Sequence, residues 1–351
     1  MKKILIICYL LITYTTQAQV AKKLSSGLYH FVDYGGEALT KLGVWKKAED
    51  FTSQKRFVRV QDRAGKDFLL NRDGVLYRVA YRAKDLHSLI EALDLRQQNL
   101  ATLPAQVFRF KQLKVLMLSF NQLKSLPAEI GQLRNLQELH ILGNLLIALP
   151  DEIAKLTNLT HLNLRGNKTL VQLNANIGQL RNLQVLNLSW NKLTELPATI
   201  GQLKNLQSLD VSWNRLTALP TTIGQLSKLR DLVLWNNQLQ QLPAQLGKLK
   251  GLTALNVFSN QLTELPAEIG QLTNMVWINA DNNRLTRLPT TISQLKKITG
   301  LRLINNQLTQ LPENIAALKK LKDIDLRGNP IAKPQQQQIK QWLPNAKIRF
   351  E

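Results

Sequence analysis

Cysteine is almost absent from this chain: Cys8 is the only one in 351 residues. A single cysteine excludes an internal disulfide and a cysteine-rich metal site, so the stability of the folded chain depends on packing. Histidine is scarce too, with four residues. The sequence contains no P-loop, no Gly-x-Ser-x-Gly turn and no His-Glu-x-x-His helix. We therefore expect no enzyme, no catalytic residues and no cofactor.

The first 18 residues read MKKILIICYLLITYTTQA. Two lysines precede an apolar run, and the stretch ends with a small residue at Ala18, which is typical of a cleavable secretory signal peptide. The run is short for a membrane span. We expect cleavage after Ala18 and a secreted, periplasmic or cell-surface protein without a membrane span. An uncleaved anchor is the alternative interpretation.

A repeated pattern occupies most of the chain. Leu113 begins the stretch LKVLMLSFNQLKSLPAEIGQL, which follows the pattern L-x-x-L-x-L-x-x-N-x-L-x-x-L-P-x-x-I-G-x-L. The copies are 23 residues apart, except for one step of 24 between Leu159 and Leu183. An earlier copy starts at Ile90, where Gln98 replaces the asparagine. The other first positions are Leu113, Leu136, Leu159, Leu183, Leu206, Leu229, Leu252, Met275, Ile298 and Leu321.

Each copy predicts a short strand and a return arc. Leu116 and Leu118 alternate with polar residues at the period of a strand. A single coil has apolar residues but no core of its own, so it needs neighbours on which to stack. The pattern resembles the leucine-rich repeat family, and its LP-x-x-IGQL ending resembles bacterial secreted repeat proteins and the plant intracellular Ras-group family. The resemblance implies an α/β repeat fold, a curved right-handed solenoid with a parallel sheet on its concave face.

The chain is predicted to have four parts. Residues 1–18 form the signal peptide, and residues 19–86 form a small β-rich N-terminal domain. Within it, RFVRVQDRAGKDFLLNRDGVLYRVAYR contains three alternating runs separated by turns, which predict an antiparallel meander. This domain is expected to cap the solenoid, and an independent binding domain is the alternative. Residues 87–332 hold about eleven repeats, and residues 333–351 form a C-terminal cap with one helix and one strand.

The asparagine of each repeat is expected to satisfy backbone groups where the chain leaves the strand, because its amide has two donors and an acceptor. Together these residues predict a structural ladder. Its members are Asn121, Asn144, Asn167, Asn191, Asn214, Asn237, Asn260, Asn283, Asn306 and Asn329.

Acidic residues are outnumbered: the chain has 24 acidic and 46 basic side chains. Such a balance attracts acidic partners in a salt-dependent way. Many of the cations fall on the return arcs, where a solvated convex surface is the default, so specific nucleic-acid binding is disfavoured. Adhesion to acidic glycans or surfaces remains an alternative function.

Aromatic residues are few, and several occupy variable positions near the strands. We predict that they form a recognition surface with their polar neighbours, because leucine already supplies the core. The alternative is that Trp190 and Trp213 shield the asparagine ladder. The predicted ligand-binding residues are Trp190, Trp213, Trp235, Phe258, Trp277, Asp210, Asp231, Asn256 and Asn279.

The sequence thus predicts a non-catalytic module that binds a macromolecule, with protein the favoured partner and glycan second. An intracellular signalling scaffold is the alternative if the signal peptide is not used. Glu138, His140 and His161 are predicted to share one face of adjacent strands. Two imidazoles and a carboxylate can hold a metal, but a hydrogen-bonded pair with a bystander is the simpler interpretation, and we predict no metal site.

Overall fold

The computed structural model describes residues 90–351 in full and, before residue 90, the backbone of seven strands. The predicted signal peptide lies outside the described residues. The chain divides into two compact units. Unit 1 comprises Met1–Leu95 and Pro104–Met117, and unit 2 comprises Arg96–Leu103 and Leu118–Glu351.

Unit 1 contains two groups of antiparallel strands and the first two repeat strands. β1, β2 and β3 form a three-stranded sheet that the sequence pattern did not indicate. β5, β6 and β7 are the three runs predicted as a meander, and each pairs antiparallel with the next. The strands are β1 (Val20–Lys23), β2 (Tyr29–Val32), β3 (Val44–Trp45), β4 (Lys47–Ala48), β5 (Phe57–Gln61), β6 (Asp67–Asn71), β7 (Leu76–Ala80), β8 (Ala92–Asp94) and β9 (Val115–Met117).

The meander continues directly into the repeats of unit 1. β7 pairs in parallel with β8 through Val79 and Ala92, and β8 pairs in parallel with β9 through Leu93 and Leu116. β8 therefore does not present an open edge on its β7 side, which removes a template for pairing with other chains. A 3-10 helix, Ala105–Arg109, returns the chain between β8 and β9.

Unit 2 is a solenoid in which each coil contributes one short parallel strand and one 3-10 helix. Its strands are β10 (Glu138–His140), β11 (His161–Asn163), β12 (Val185–Asn187), β13 (Ser208–Asp210), β14 (Asp231–Val233), β15 (Ala254–Asn256), β16 (Trp277–Asn279), β17 (Gly300–Arg302), β18 (Asp323–Asp325) and β19 (Lys347–Arg349). Its 3-10 helices are Ala128–Gln132, Asp151–Lys155, Ala175–Gln179, Ala198–Gln202, Thr221–Gln225, Ala244–Lys248, Ala267–Gln271, Thr290–Gln294 and Glu313–Ala317.

The repeat residues explain each part of a coil. In β13 the central Leu209 is fully buried, whereas Ser208 and Asp210 point out of the core and are half-buried. Pro220 has φ −64° and precedes the 3-10 helix Thr221–Gln225, because its ring fixes the backbone angle that starts the turn. Asn174 replaces this proline in one coil, and its side chain accepts a hydrogen bond from the Asn176 N–H instead.

Neighbouring coils approach closely at the glycine of the IGQL ending. A Cβ added to Gly224 would lie 2.3 Å from the Gln245 carbonyl oxygen of the next coil. No larger residue fits there without displacing that backbone. The interior consists of the leucine and isoleucine side chains of the repeat, which are almost all fully buried. Each contributes about 1.5–3 kcal/mol relative to an exposed side chain.

The C-terminal end of unit 2 has the helix and strand predicted for it. Helix α1 (Lys333–Trp342) buries Ile339, and β19 pairs in parallel with β18. Arg349 of β19 donates through Nη2 to Asp323 Oδ2 at 2.6 Å and through Nη1 to Asp325 Oδ2 at 3.0 Å. Burial raises the pKa of Asp325, but hydrogen bonds and charge from Arg327 and Arg349 outweigh burial and hold that pKa below its ordinary value.

Candidate functional site

The outward side chains of the strands and of the turns that follow them form one exposed sheet face in unit 2. After each strand from β9 to β18 the chain turns through a residue with a left-handed backbone. These residues are Phe120, Gly143, Gly166, Trp190, Trp213, Asn236, Ser259, Asn282, Asn305 and Gly328. Glycine and asparagine adopt this conformation readily, whereas a bulky side chain is strained in it by about 1–2 kcal/mol.

Three aromatic residues occupy this strained position. Phe120 has φ 61°, Trp190 has φ 60° and Trp213 has φ 53°. Local backbone preference therefore does not explain why these coils carry aromatic rings. Strain of this kind is concentrated at functional sites, where the side chain has a purpose other than stability.

Three tryptophans of the predicted surface are in contact, and we call Trp190, Trp213 and Trp235 the tryptophan cluster. The rings of Trp190 and Trp213 stack with centroids 4.2 Å apart and an interplanar angle of 17°. Trp235 meets Trp213 edge-on, at 5.7 Å and 75°. Trp190 and Trp213 remain 39% and 38% exposed. The cluster thus offers a wide, partly exposed aromatic area held in place by its own ring contacts.

The other aromatic residues lie apart from the cluster's ring contacts. Phe258 follows β15 and is half-buried. Trp277 lies at the start of β16, where its ring packs so closely over Gly300 that an added Cβ would be 2.6 Å from Trp277 Cδ1. Phe120, the most exposed ring at 52%, lies over Gly143. Among the described residues, the ring contacts of the predicted recognition surface end at Trp235.

The asparagine ladder is buried to a similar extent with and without an aromatic residue at the preceding turn position. Asn191 and Asn214 follow Trp190 and Trp213 and are 7% and 8% exposed. Asn283 and Asn306 follow asparagine at the same turn position and are 8% and 6% exposed. The tryptophan rings therefore bury the ladder no further than an asparagine at the turn does.

The polar residues predicted to bind ligand mostly support the turn that follows their strand. Asn256 Oδ1 accepts from the Phe258 N–H at 3.1 Å, and Asn279 Oδ1 accepts from the Asp281 N–H at 3.0 Å. Asn279 is itself buried. These two side chains fix the backbone of the surface and offer it little additional contact area.

Asp210 and Asp231 lie on the exposed sheet face, in the adjacent strands β13 and β14. Asp210 Oδ1 accepts from the N–H and the hydroxyl of Ser212, at 2.9 and 2.6 Å. Burial raises the pKa of Asp210 despite these bonds. Burial also raises the pKa of Asp231, against the opposing charge of Arg230. The surface next to the tryptophan cluster therefore carries two carboxylates at a cost in stability.

Asp210→Asn is expected to stabilise the protein at pH 7. An acid whose pKa is higher in the folded state destabilises the fold when it is ionised, and this penalty disappears below its unfolded pKa. The gain should thus be present at pH 7 and shrink as pH falls through the raised pKa of Asp210 towards 3.8. Urea unfolding of wild type and Asp210→Asn at pH 7 and near pH 3.8 measures this gain.

Asn187 provides the matched control for this substitution. It pairs in register with Asp210 and makes the same two bonds, to the N–H and hydroxyl of Ser189. Asn187→Asp should therefore destabilise the protein at pH 7 and lose this effect in acid. If Asp210→Asn gave equal stability changes at both pH values, burial of the charge would not be the cause.

The predicted group of Glu138, His140 and His161 forms separate local hydrogen-bonded pairs. Glu138 and His161 are in register on β10 and β11, as predicted. His140 Nε2 lies 3.1 Å from Glu138 Oε2, whereas His161 Nδ1 lies 2.8 Å from the Thr160 hydroxyl. Within residues 90–351 no group of three or more potential ligands is placed to hold a metal.

Arginine–aspartate pairs mark the sheet face nearer the C-terminus, a feature that the sequence analysis missed. Arg302 reaches back one coil to Asp281, with Nη2 2.7 Å from Oδ2. Arg327 binds Asp325 through Nε and Nη2, at 2.9 and 2.8 Å. Because these acids are paired with cations, this end of the face is less available to charged ligands than the tryptophan cluster.

A solenoid of coils that share a buried leucine interior, an asparagine ladder and an open parallel sheet defines the leucine-rich repeat proteins. A sequence model of this family, described as a leucine-rich repeat region, matches residues 77–193, 174–234 and 222–343. The chain therefore belongs to the leucine-rich repeat family.

Solved structures include several similar chains. A leucine-rich repeat protein of Leptospira interrogans is 34% identical, with 75% of this chain and 84% of that chain covered and a TM-score of 0.44. A plant peptide hormone receptor, RGFR1, in complex with RGF2 is 29% identical, with 75% of this chain and 47% of that chain covered and a TM-score of 0.58. An internalin of Listeria monocytogenes is 16% identical, with 81% and 85% covered and a TM-score of 0.52.

This chain spans about half the length of the plant receptor chain that it matches. No curated protein matches it. Within the described part of the chain, no helix is both long and apolar enough to cross a membrane.

Proposed function

We propose that this protein is a non-catalytic binding protein that recognises another protein or peptide on the tryptophan cluster of its exposed sheet face. The observation that carries the proposal is the left-handed backbone of Trp190 and Trp213, with φ of 60° and 53°. The strain of the left-handed backbone offsets part of what these half-exposed, stacked rings contribute by packing, and asparagine or glycine at the same turn would avoid that strain. A role in contact with a partner accounts for their presence.

The chemistry of the cluster suits a protein partner. Tryptophan is the residue type most enriched among the energetic anchors of interfaces, and anchors cluster near the interface centre. Asp210 and Asp231 lie in the adjacent strands β13 and β14, which lead to Trp213 and Trp235. They favour a partner segment with a lysine or arginine beside an apolar or aromatic side chain.

The relatives support the same class of ligand. The plant receptor that is 29% identical to this chain was solved with a peptide bound, so the family's fold accommodates peptide ligands. A matching fold does not identify the ligand, because the repeats determine the scaffold and the variable surface positions determine what binds.

A peptide-display library selected on the full chain tests the proposal. Selected peptides are then measured against wild type and against the Trp190→Asn/Trp213→Asn variant, both at moderate salt. We expect enrichment of peptides that bind only wild type. Peptides that bind both proteins equally well would place recognition elsewhere and contradict the proposal.

We also propose that the protein is exported and cleaved after Ala18. The two lysines, the apolar run and the small residue at the exit support this. Mass spectrometry of the protein from its native host should show an N-terminus at Gln19. An intact Met1 on cytoplasmic protein would contradict export and favour the intracellular scaffold.

A further inference from the structure

One edge of the unit 2 coils carries positive charge and no negative charge. We define the cationic edge as the six residues from the end of each 3-10 helix to the residue before the next strand, from Gln132–Gln137 to Ala317–Lys322. Its nine segments contain thirteen basic residues and no Asp or Glu. The basic residues are Arg134, Lys155, Arg181, Lys204, Lys228, Arg230, Lys248, Lys250, Lys296, Lys297, Lys319, Lys320 and Lys322, all of them exposed.

The other edge of the same coils is nearly neutral. The residues between each ladder asparagine and the buried isoleucine or leucine of its 3-10 helix, from Gln122 to Asn314, include six basic and seven acidic side chains. The charge of unit 2 is therefore segregated on one edge and is not a uniform excess. Segregated charge of one sign creates a potential that concentrates counter-charged ligands.

The cations of this edge are oriented but not neutralised. Lys228 Nζ donates to Asn205 Oδ1 at 2.8 Å, and Lys297 Nζ donates to Asn274 Oδ1 at 2.7 Å. Lys250 Nζ donates to the Gln271 carbonyl at 2.9 Å. Each of these partners is an uncharged group of a neighbouring coil. Among the described residues, no cation of this edge forms an ion pair, and only Arg230, whose charge acts on Asp231, has its charge opposed.

The cations repeat along the length of unit 2. Parallel strands lie about 4.8 Å apart, and the coils follow that spacing. The row has one gap, at Gln271–Val276, which separates eight cations from a dense group of five over the last two segments. A long, flexible polyanion can follow such a row and pair with several coils at once, which multiplies weak contacts.

The uncharged residues indicate the kind of polyanion. The edge has no aromatic ring on which a nucleic-acid base would stack. Its one large exposed apolar side chain is Val276, too little for insertion into a membrane. Glutamine and asparagine side chains flank the cations in most coils, and their amides suit hydroxyl groups.

We propose that the cationic edge binds an acidic polysaccharide, a polymer with carboxylate or sulfate groups among its hydroxyls, laid along successive coils. The cationic edge lies just before the N-terminal end of each strand, whereas the tryptophan cluster lies just after the C-terminal ends of the strands. The two surfaces therefore lie at different ends of the strands, and this proposal does not depend on the peptide proposal.

Two variants of equal net charge test the proposal in the full chain. In the first, Lys296, Lys297, Lys319 and Lys320 are all replaced by glutamine. In the second, Lys168, Lys192, Arg215 and Arg284 on the neutral edge are replaced by glutamine, the residue that Gln238 and Gln261 already provide at that position. Binding to heparin and to polygalacturonate is measured at 0.15 M salt, with far-UV circular dichroism to verify folding.

We expect at least a tenfold loss of affinity in the first variant and less than a twofold loss in the second. The Trp190→Asn/Trp213→Asn protein should bind both polysaccharides like wild type. Equal losses in the two charge variants would show attraction by bulk charge and overturn the proposal. Single-stranded DNA or anionic phospholipid vesicles that bind wild type more tightly than either polysaccharide, and that lose this binding in the first variant, would also overturn the proposal.

Discussion

Replacing Trp190 and Trp213 together with asparagine is expected to weaken binding of a selected peptide at least thirtyfold, with little change in stability. Truncating an anchor of an interface costs about 2 kcal/mol or more, which corresponds to a factor of about thirty. Asparagine is the appropriate replacement because Asn236 already occupies this position in the next coil, with φ 52°. The substitution removes the rings and keeps the turn.

The stability of this variant follows from two opposing effects. Loss of the ring stacking costs about 0.5–1.5 kcal/mol, and the buried part of each ring is lost as well. Relief of the left-handed strain returns about 1–2 kcal/mol at each position. Because these effects oppose each other, we expect the free energy of unfolding to stay within about 1–2 kcal/mol of wild type. Trp213→Ala should be less stable than Trp213→Asn, since alanine loses the ring and keeps the strain.

Ile147→Asn is the control for loss of exposed apolar surface. Ile147 is 58% exposed and lies after the asparagine ladder, away from the tryptophan cluster. Peptide affinity should not change in this variant. A loss of 3–5 kcal/mol in the double tryptophan variant would identify the rings as core packing residues. Unchanged affinity in a stable double variant would remove the basis of the proposed function.

The repeat period predicts the strands because leucine spacing determines which residues can be buried together. Leu209 and its equivalents are central strand residues with outward neighbours on each side, as the alternation indicates. The helix and strand after Pro330 are also confirmed. The three short strands before Trp45 were not predicted, because that stretch lacks clear alternation bounded by turns.

The left-handed turn could have been predicted from the sequence, but the sequence analysis missed it. Gly143, Gly166, Asn236, Asn282 and Asn305 share one repeat position, and only glycine and asparagine are common where φ is positive. Aromatic rings at the same position would then have been recognised as strained. The stacking itself was not predictable, because the period fixes the backbone and not the direction of each ring.

The single 24-residue repeat shows a similar limit. Its spacing is visible in the sequence, but the site of the extra residue is visible only in the structure. In this coil the Leu170 N–H donates to the Asn167 carbonyl at 2.8 Å. In other coils the equivalent N–H donates to the next ladder asparagine, as Leu216 N does to Asn237 Oδ1 at 3.1 Å. Within the described residues, Asn191 Oδ1 consequently has no donor.

Asn237→Ala is expected to destabilise the protein by about 2–5 kcal/mol. Asn237 Oδ1 accepts from Leu216, and its Nδ2 donates to the Val211 and Leu234 carbonyls, both at 3.0 Å. Each carbonyl keeps a bond from a neighbouring ladder asparagine, at 3.0 and 3.1 Å. Truncation therefore leaves only the buried Leu216 N–H unpaired, at about 1–3 kcal/mol, and removes two further hydrogen bonds that contribute about 0.5–1.5 kcal/mol each.

Asn191→Ala should cost less than Asn237→Ala by about 1 kcal/mol or more, because no backbone N–H depends on its oxygen. Asn191 retains only its donor bonds, to the Leu164 and Leu188 carbonyls at 3.1 and 2.7 Å. Gln238→Ala, on the exposed side of the turn, should stay within about 0.5 kcal/mol of wild type. Urea unfolding of all three variants ranks them. Equal midpoints for Asn191→Ala and Asn237→Ala would mean that the oxygen of the ladder amide adds nothing to stability, and that the asparagine stabilises the fold through its two donor bonds.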